Sequence, residues 1–589
     1  MENIAVPTIE ETKSLLDEKL KIVCAELAQA LSNDPEKTKK PTRILAQKEL
    51  EIRELIDMIK INSLELLNEY VLERTNVIII AGFQDGDEGK WKVVTWSDTK
   101  VAWSSTNDQN EVPWAAKRRI SFVAWPAWWG NAGHNVILKD GTRVALHELP
   151  GGAIIETAQV YLGQSRLVNI KNVIKEMKEI EDHGIESMIE KDWKQVPKMI
   201  IAGQANVNLK SLSGKLDLLF EAVKEIPVWT TQTGMWPTAA LECLRAWVKF
   251  NEMVNNPKEC IRKIKETVNA FNKNPADIFK DEKTGEFIKE KIERFKNIAL
   301  KKQDEKDEFD LLEDNVKSQW INKRIWLNLE EIIHEFEESE EQLSKEIEKW
   351  TIMIDEWNMM LSEADDRKEL IIVECSQSVS LWKNGWKSPN CSSTDTSPNG
   401  AYSSLGLTRK DHHVIYWCAK AKKTKVWWWQ FFTKQEWTVV DKYREDAGEV
   451  WATTGRPRDI GHIDTVEIKK AIMTNGCDVL CINMLDKISQ FGNDNKVCIW
   501  YRNTDTKRVH THTFPTRSEE KYIEPIYSRD FDLSDDISRC KSFEELPNEY
   551  KAYIACIIRT VGFKGIVSLG MWPARGDVIV TSNFIDYDD

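Results

Sequence analysis

Asn76-Val-Ile-Ile-Ile-Ala81, followed directly by Gly82-Phe-Gln-Asp-Gly-Asp-Glu-Gly-Lys90, is the stretch of sequence that determines the fold class. A short continuous run of β-branched residues is typical of a strand buried in a parallel sheet. The Gly-rich segment predicts a tight turn, and we expect a helix from Val93 onward. A strand, a glycine turn and a helix in this order form the βα unit that binds phosphate. The stretch therefore predicts an α/β protein with an anion site after this strand.

Further β-branched runs alternate with helical stretches in the second half of the chain, at residues 371–373, 414–416, 479–482, 496–499 and 566–568. This alternation predicts a mainly parallel central sheet flanked by helices, in an α/β domain over residues 73–589. Apolar residues at three- and four-residue intervals predict a helical N-terminal extension over residues 1–72. A charged helical insert is predicted over about residues 251–369; it is either a solvated subdomain or a partner-binding surface.

Composition excludes several classes of protein. The formal net charge of −14 over 589 residues argues against non-specific nucleic-acid binding. No apolar run is long enough to span a membrane, and the first 17 residues lack the apolar core of a secretory signal. Eleven cysteines without a CxxC pair indicate reduced thiols rather than a disulfide or zinc framework. We therefore expect a cytoplasmic protein without nucleic-acid or membrane partners.

Two loops carry the candidate chemistry. Glycines 86 and 89 allow backbone N–H groups to face an anion, and Lys90 adds a point charge for phosphate. About forty residues later, Gly130-Asn-Ala-Gly-His134 forms a second Gly-rich turn that ends in a histidine. Taken alone, a Gly-rich acidic turn is more often a plain surface loop, and a lone histidine such as His134 is usually structural.

Together, and in this order, the two loops resemble the GDEGKGK and GGxNAGH signatures of the adenylosuccinate synthetase family. Further segments resemble later landmarks of the family in the same order, including its LHLLPSG, GTT, ATTGRxR, GWLD and KLD motifs. They are Leu146–Pro150, Thr230-Thr231, Ala452–Arg458, Gly461–Asp464, Leu485-Asp486, Pro525–Tyr527 and Ser568–Gly570. The resemblance covers most of residues 76–580, and the ordered set is far more specific than any one motif.

The resemblance implies a GTP- and magnesium-dependent ligase that joins L-aspartate to C6 of inosine monophosphate (IMP) in AMP biosynthesis. Asp87 would take the N1 proton of IMP, His134 would donate a hydrogen bond to the 6-oxygen, and Lys90 would stabilise the moving phosphoryl group. Mg²⁺ would be held by Asp87 and the carbonyl of Gly133. Aspartate would then displace phosphate from a 6-phosphoryl-IMP intermediate.

The resemblance also assigns binding residues. The nucleotide assignments for GTP are Gly86, Glu88, Gly89, Asp486, Ser568 and Gly570, with Asp486 accepting from guanine. The expected IMP residues are Asn131, Thr230, Thr231, Gln377 and Ser392. The expected aspartate residues are Thr453, Thr454, Arg456 and Arg458, because arginine offers a planar fork to carboxylates. Arg245 would reach the monophosphate across the interface of a homodimer.

Several residues depart from the family pattern. Met484 replaces the lysine of KLD, Thr233 replaces an arginine after the GTT turn, and GAQG reads Cys375-Ser-Gln-Ser378. About twenty extra residues separate the first two loops, and Met571-Trp572 interrupts the segment that usually reads GPD. Two alternatives therefore remain open: a sister ligase acting on a 2-amino purine nucleotide such as guanylate, and a catalytically silent GTP-binding regulatory paralogue.

Tryptophan is in excess by about as much as glycine is deficient. The chain has 25 Trp and 26 Gly, whereas ordinary glycine usage would give about 41. Tryptophan occupies at least eleven places where the family has glycine, namely Trp91, Trp128, Trp129, Trp229, Trp236, Trp247, Trp386, Trp417, Trp427, Trp429 and Trp451. We hypothesise that many tryptophans are glycines in the living protein, encoded by a UGA codon that some bacteria read as glycine.

Overall fold

The computed structural model shows an open α/β fold. It describes residues 75–83, 90, 120–126, 134–138, 142–191, 193–223, 233–272, 284, 286, 288–299, 303–313, 316–317, 319–321, 326–387, 391–392, 394–410, 412–425, 431–436, 438–447, 449, 457–540, 542–563, 565–571 and 578–581. The predicted N-terminal extension lies outside these residues.

A ten-stranded sheet forms the centre of the fold, in the order β11-β9-β5-β2-β12-β1-β13-β16-β20-β21. Its strands are β1 (Val77–Gly82), β2 (Ile120–Trp125), β5 (Gln159–Leu162), β9 (Met199–Ala202), β11 (Ile352–Asp355), β12 (Leu370–Glu374), β13 (His413–Lys420), β16 (Val479–Asn483), β20 (Ile566–Gly570) and β21 (Val578–Thr581). Every neighbouring pair is parallel except β20 and β21. The predicted mainly parallel sheet is confirmed.

Smaller sheets and hairpins surround the central sheet. One sheet joins β14 (Lys422–Lys425), β15 (Asp459–Asp464), β17 (Val497–Asn503), β18 (Val509–His510) and β19 (Ile523–Tyr527). The two-stranded pairs are β3 (His134–Ile137) with β4 (Arg143–Leu146), β6 (Leu167–Val168) with β10 (Asn206–Val207), and β7 (Met188–Lys191) with β8 (Lys194–Pro197).

Thirteen α-helices are described, and none of them is long and apolar enough to cross a bilayer. They are α1 (Ile170–Glu181), α2 (Lys210–Val223), α3 (Met235–Cys243), α4 (Phe250–Asn255), α5 (Pro257–Phe271), α6 (Lys289–Ala299), α7 (Gln303–Asp310), α8 (Leu329–Glu348), α9 (Met360–Asp366), α10 (Pro398–Leu405), α11 (Thr438–Ala447), α12 (Thr465–Asn475) and α13 (Asn548–Val561).

The strand β1 lies in the middle of the sheet, and all six of its residues are buried. It pairs in parallel register with β12 and β13, and the two faces of this strand pack into separate apolar clusters. Ile79 lies in the cluster that includes residues of α10 and α13, whereas Ile78 and Ile80 lie in the cluster on the opposite face. The continuous β-branched run is thereby explained, since both faces of the strand require apolar side chains.

The charged region between residues 250 and 366 contains helices α4 to α9 and one strand. The strand β11 joins the edge of the central sheet next to β9, in register from Ile352 opposite Met199. Residues within the predicted insert therefore contribute to the central sheet. The boundary of the insert as a separate unit stays a prediction.

Four of the eleven tryptophans at family-glycine positions are described: Trp236, Trp247, Trp386 and Trp417. None of these four has a positive φ, so the backbone there does not itself require glycine. Trp417 is fully buried on β13, where its indole N–H donates to the carbonyl of Gly476 at 2.5 Å and its ring stacks on Phe83. In contrast, the indole nitrogen of Trp386 is buried without a hydrogen-bond partner among the described residues.

Backbone strain occurs instead at two other tryptophans. Trp193 lies in the turn between β7 and β8 with φ 64°, and its side chain is 94% exposed. Trp350 follows the end of α8 with φ 63°, and its N–H donates to the carbonyl of Ile347 at 3.0 Å. Both positions adopt the left-handed conformation that glycine favours, at a hairpin turn and at the position after a helix. These two positions therefore support the glycine hypothesis most directly.

Candidate active site

The carboxyl ends of five neighbouring parallel strands bring together several of the predicted site segments. In the order β12-β1-β13-β16-β20, these strands end at Glu374, Gly82, Lys420, Asn483 and Gly570. Ligands of open α/β sheets bind outside this edge, where loops leave the strands. The loops that follow these five strands therefore form the candidate active site.

Lys90 connects the phosphate loop with the segment after β12. It is 3% exposed, and its ammonium donates a hydrogen bond to the backbone carbonyl of Gln377 at 2.7 Å. Gln377 has φ 42°, a conformation that costs a non-glycine residue about 1–3 kcal/mol. Its Oε1 atom is buried without a hydrogen-bond partner among the described residues. Strain and an unpaired buried acceptor at the same residue are features often found at functional sites, so Gln377 stays a candidate for ligand binding.

The Ser/Thr-rich loop after Gln377 is ordered by its own hydrogen bonds. The backbone N–H of Ser392 donates to the carbonyl of Leu381 at 2.7 Å, and its hydroxyl accepts from the N–H of Thr394 at 3.3 Å. The hydroxyl of Thr396 donates to the carbonyl of Ser378 at 2.7 Å. Ser392 is thereby held, 8% exposed, in the same loop as Gln377.

Asp486, Ser568 and Gly570 lie together at one end of the candidate site. Ser568 and Gly570 belong to β20, which pairs with β16 immediately before Asp486. The N–H of Leu485 donates to the carbonyl of Gly570 at 3.2 Å and fixes the turn that presents Asp486. Met484, which replaces the family lysine, is buried with φ 60°. Three of the six residues assigned from the resemblance to GTP are therefore neighbours, and the other three lie outside the described residues.

A buried ion triad closes the ATTGRxR loop at its two ends. Arg458 donates from Nη1 to Oε2 of Glu449 at 2.7 Å, and its backbone N–H donates to the Glu449 carbonyl at 3.0 Å. The other carboxylate oxygen of Glu449 accepts from the ammonium of Lys420 at 2.6 Å. All three side chains are at most 7% exposed. Arg444 also donates to the carbonyl of Arg458, at 2.6 Å. We call these contacts the loop neck.

Sequence reasoning did not identify Glu449 or Lys420. Glu449 lies two residues after the charged helix α11, and Lys420 precedes three further lysines within five residues, so neither stands out by spacing. The pairing depends on contacts between residues 29 positions apart, which the sequence pattern does not show. Arg458, predicted to bind aspartate, has its Nη1 engaged by Glu449.

Lys422 lies on β14 next to the loop neck and is buried. Its ammonium donates to Oε1 of Gln435 at 3.0 Å and to the carbonyl of Asp494 at 3.1 Å. Burial lowers the pKa of Lys422 to about 7. Burial and the neighbouring charge of Lys422 lower the pKa of His462 to about 2, so this histidine is neutral. The β14–β15 pair therefore contains ionisable groups that are kept close to neutrality by burial.

Buried charged side chains hold the segment that follows the hairpin beginning at His134. His134 pairs with Leu146 across β3 and β4, and the three N–H groups that follow β4 donate to the carboxylate of Glu176 at 2.9–3.0 Å. Glu148, in the same segment, pairs with the fully buried Arg166 at 3.1 Å. Burial raises the pKa of Glu176 to about 7. These contacts fix the backbone of the hairpin that carries His134.

Arg245 lies apart from these groups, on an exposed turn after α3. It has φ 57°, and its N–H donates to the carbonyl of Glu242 at 2.9 Å. The preceding residue, Leu244, is 68% exposed. Within the described residues, Arg245 therefore faces solvent rather than the loops at the sheet edge.

The remaining predicted site residues lie outside the described part of the chain. For His134 the structure describes the backbone alone. The residues outside are Gly86, Asp87, Glu88, Gly89, Asn131, Gly133, Thr230, Thr231, Thr453, Thr454 and Arg456. Their roles stay predictions.

Comparison with known proteins identifies related sequences over most of the chain. The family model described as adenylosuccinate synthetase matches residues 117–319 and 284–579. The adenylosuccinate synthetase of Acetivibrio thermocellus is 25% identical over 510 residues, which cover 86% of this chain and 99% of that protein. The Plasmodium vivax adenylosuccinate synthetase is 24% identical over 515 residues, covering 86% of this chain and 96% of that protein. The fully ligated enzyme from Plasmodium falciparum shares the fold, with a TM-score of 0.62 at 19% identity, covering 86% of this chain and all of that one.

Proposed function

Because the chain belongs to the adenylosuccinate synthetase family, we propose that it catalyses the ligation of IMP and L-aspartate with GTP to form adenylosuccinate, GDP and phosphate. The hydrogen bond between Lys90 and Gln377 is the main structural observation that supports this proposal. It joins the predicted phosphate loop to a predicted IMP residue at the ligand-binding edge of the sheet. The assignment places the protein in purine nucleotide biosynthesis.

The first chemical step activates C6 of the purine, because its oxygen is a poor leaving group. We propose that the carboxylate of Asp87 removes the N1 proton of IMP. Loss of this proton leaves negative charge on the 6-oxygen. This oxygen attacks the γ-phosphorus of GTP, and the bond from that phosphorus to the β–γ bridging oxygen breaks. His134 donates a hydrogen bond at the 6-oxygen, and the ammonium of Lys90 stabilises charge on the transferring group.

Magnesium fits the oxygen-rich chemistry of the proposed donors. A carboxylate oxygen of Asp87 and the carbonyl of Gly133 are the kind of ligand that Mg²⁺ prefers, and we assign them as its protein ligands. The bound ion would neutralise phosphate charge. The buried cation at Lys90 contributes to the same end of the site without depending on the metal.

The second step attaches aspartate. Its amine attacks C6 of 6-phosphoryl-IMP, the C6–O bond breaks, phosphate leaves, and the amine loses a proton. We assign the aspartate carboxylates to the fork of Arg456, with Thr453 and Thr454 beside it. Arg458 was expected to share this role. Since its Nη1 binds Glu449, we propose that it holds the loop in place from the neck.

The other binding assignments follow the resemblance. We propose that Asn131, Thr230, Thr231, Gln377 and Ser392 bind IMP, and that Gly86, Glu88, Gly89, Asp486, Ser568 and Gly570 belong to the GTP site. Asp486 would accept from guanine N1–H and the 2-amino group, which adenine lacks in that arrangement. An exposed Arg245 beside an exposed Leu244 supports a homodimer in which the arginine crosses to the partner's monophosphate site. We expect a cytoplasmic enzyme.

The test is adenylosuccinate formation by the purified chain, followed separately with IMP and guanylate as the purine substrate. Product with IMP that disappears in Asp87→Ala supports the proposal. Preference for guanylate would favour the sister ligase, because its substrate carries a 2-amino group. GTP binding without product from either nucleotide would favour the silent regulatory paralogue. Matched GTP titrations of the wild type and of Asp486→Ala test the base assignment independently of turnover.

A further inference from the structure

A cluster of three metal-ligating side chains lies at the edge of the sheet opposite the candidate active site. His413 is the first residue of β13 and Lys420 is its last, so the two edges are separated by roughly 20 Å along the strand. His412 precedes the strand, and Asp365 lies at the end of α9, shortly before β12 begins. None of these three residues takes part in the proposed ligation.

The donor atoms of the three side chains converge. Oδ1 of Asp365 is 3.1 Å from Nε2 of His413 and 3.4 Å from Nε2 of His412. All three donor atoms lie within 4.8 Å of one another. In a tetrahedral zinc site with bonds of about 2.0–2.1 Å, neighbouring ligand atoms are about 3.3 Å apart. The two measured separations match this spacing. Within the part of the chain that the structure describes, no other three such side chains approach this closely.

We propose that Asp365, His412 and His413 form a binding site for a divalent cation of the zinc class. Two imidazoles and one carboxylate suit zinc and its nitrogen-preferring neighbours, whereas Mg²⁺ prefers an all-oxygen environment. Three protein ligands leave a fourth position for water. The site is therefore distinct from the magnesium site expected at the phosphate loop.

The outer contacts orient these ligands. Lys410 donates to the second carboxylate oxygen of Asp365 at 2.6 Å, and Asn76 donates to its Oδ1 and to its backbone carbonyl. The Nδ1 atom of His413 is 3.3 Å from the hydroxyl of Tyr402. The same Nδ1 atom accepts from the backbone N–H of Lys410 at 3.4 Å, so the ring of His413 is held on the side away from Asp365. Ligating carboxylates and histidines are commonly held by such second contacts.

Charge and access also favour a cation. Lys410 additionally binds Asp366 at 2.8 Å, so this one ammonium faces the two carboxylates of Asp365 and Asp366 and leaves a net charge of −1. The side chain of His412 is 34% exposed, which provides a route from solvent.

The experiment uses the full chain without a histidine tag, stripped of metal with a chelator and titrated with Co²⁺ and then Zn²⁺. We expect one equivalent of Co²⁺ to give visible d–d absorption, which Zn²⁺ abolishes by displacement. His412→Ala should weaken binding by at least the 10–100-fold that loss of an outer contact costs a metal site. The matched control is His334→Ala, which removes an exposed histidine that pairs with a glutamate on α8 and should bind like the wild type.

His412 is the residue to change because it is partly exposed and its contact with Asp365 is long, so the variant should fold. Thermal unfolding of the metal-free variants confirms this point. The proposal is overturned if the wild type gives no d–d absorption, or if His412→Ala binds as tightly as the wild type. It is also overturned if a thiolate-to-cobalt charge-transfer band shows that cysteines hold the ion.

Discussion

Glu449→Gln tests whether the loop neck both stabilises the fold and positions the loop that we propose to bind aspartate. The carboxylate accepts from two cations, at 2.6 Å from Lys420 and 2.7 Å from Arg458. Glutamine has one acceptor oxygen, so its amide NH₂ would face one of the two cations. The substitution therefore removes a buried negative charge and leaves two buried positive charges without their counterion.

The expected loss of stability follows from burial. Glu449 is 1% exposed, and removal of one partner from a buried ion pair costs about 3–5 kcal/mol. The matched control is Glu549→Gln at the surface, where Arg529 makes two contacts with the carboxylate at 2.8 and 3.1 Å. These side chains are 41% and 56% exposed, so the control should cost about 0–1 kcal/mol. Urea unfolding at pH 7 measures both differences.

Activity measurements show whether the loop neck positions the loop or only stabilises the fold. If the neck positions Arg456 and the two threonines, Glu449→Gln should lower kcat/KM for aspartate by about 10–100-fold, the order expected from displacing a binding group by 1 Å. The KM for IMP should change little, since Gln377 and Ser392 lie on a different loop. Equal stability losses in Glu449→Gln and Glu549→Gln would refute the burial argument. An unchanged KM and kcat for aspartate in folded Glu449→Gln would refute the positioning argument.

Three further predictions concern strain, titration and assembly. Trp193→Gly and Trp350→Gly should each stabilise the fold by about 1–2 kcal/mol, because left-handed backbone costs a side chain that much. Trp500→Gly in β17, where φ is not positive, should destabilise it, and equal effects in urea unfolding would contradict this reasoning. Burial lowers the pKa of Lys422 from 10.5 to about 7, so between these values the unfolded chain binds a proton that the folded chain does not. Stability should therefore rise with pH across that window by up to about 1.4 kcal/mol per unit, and Lys422→Met should flatten the rise in urea midpoints. Arg245→Ala should raise the KM for IMP and leave the KM for GTP unchanged. A variant whose KM for IMP equals that of the wild type would refute the proposed crossing arginine.

Much of the fold could be predicted because its strands are continuous apolar runs. The runs at residues 76–81, 371–373, 414–416, 479–482 and 566–568 correspond to β1, β12, β13, β16 and β20 of the central sheet. The run at residues 496–499 also forms a strand, β17, but it belongs to the smaller sheet. Sheet membership depends on contacts distant in sequence, so periodicity alone does not distinguish these cases.

The other strands of the central sheet were not predicted, for physical reasons. Met199–Ala202 is four residues long, and Ile352–Asp355 directly follows the charged helix α8, whose pattern dominates that region. These short segments become strands because neighbours complete their hydrogen bonds, with β11 added to β9 and β9 to β5. Tertiary pairing of this kind overrides local propensity.

The residues of the candidate site likewise fall into those that sequence motifs predict and those that they do not. Lys90, Gln377, Asp486, Ser568 and Gly570 could be assigned from motifs, and the structure brings them together in two groups at one sheet edge. Glu449 and Lys420 could not be assigned, because a buried ion triad is defined by burial and by contacts across the fold. The same limit applies to the Asp365, His412 and His413 cluster. Its three ligands come from two segments 47 residues apart.

The most direct test of the central claim is adenylosuccinate formation from IMP, L-aspartate, GTP and Mg²⁺ by purified protein that carries glycine at the eleven family-glycine positions. The account predicts turnover that disappears in Asp87→Ala, and peptide mass spectrometry of the natively expressed protein should find glycine at position 91. A folded protein that binds GTP but forms no adenylosuccinate would contradict the ligase assignment. Tryptophan at position 91 in the native protein would contradict the glycine hypothesis.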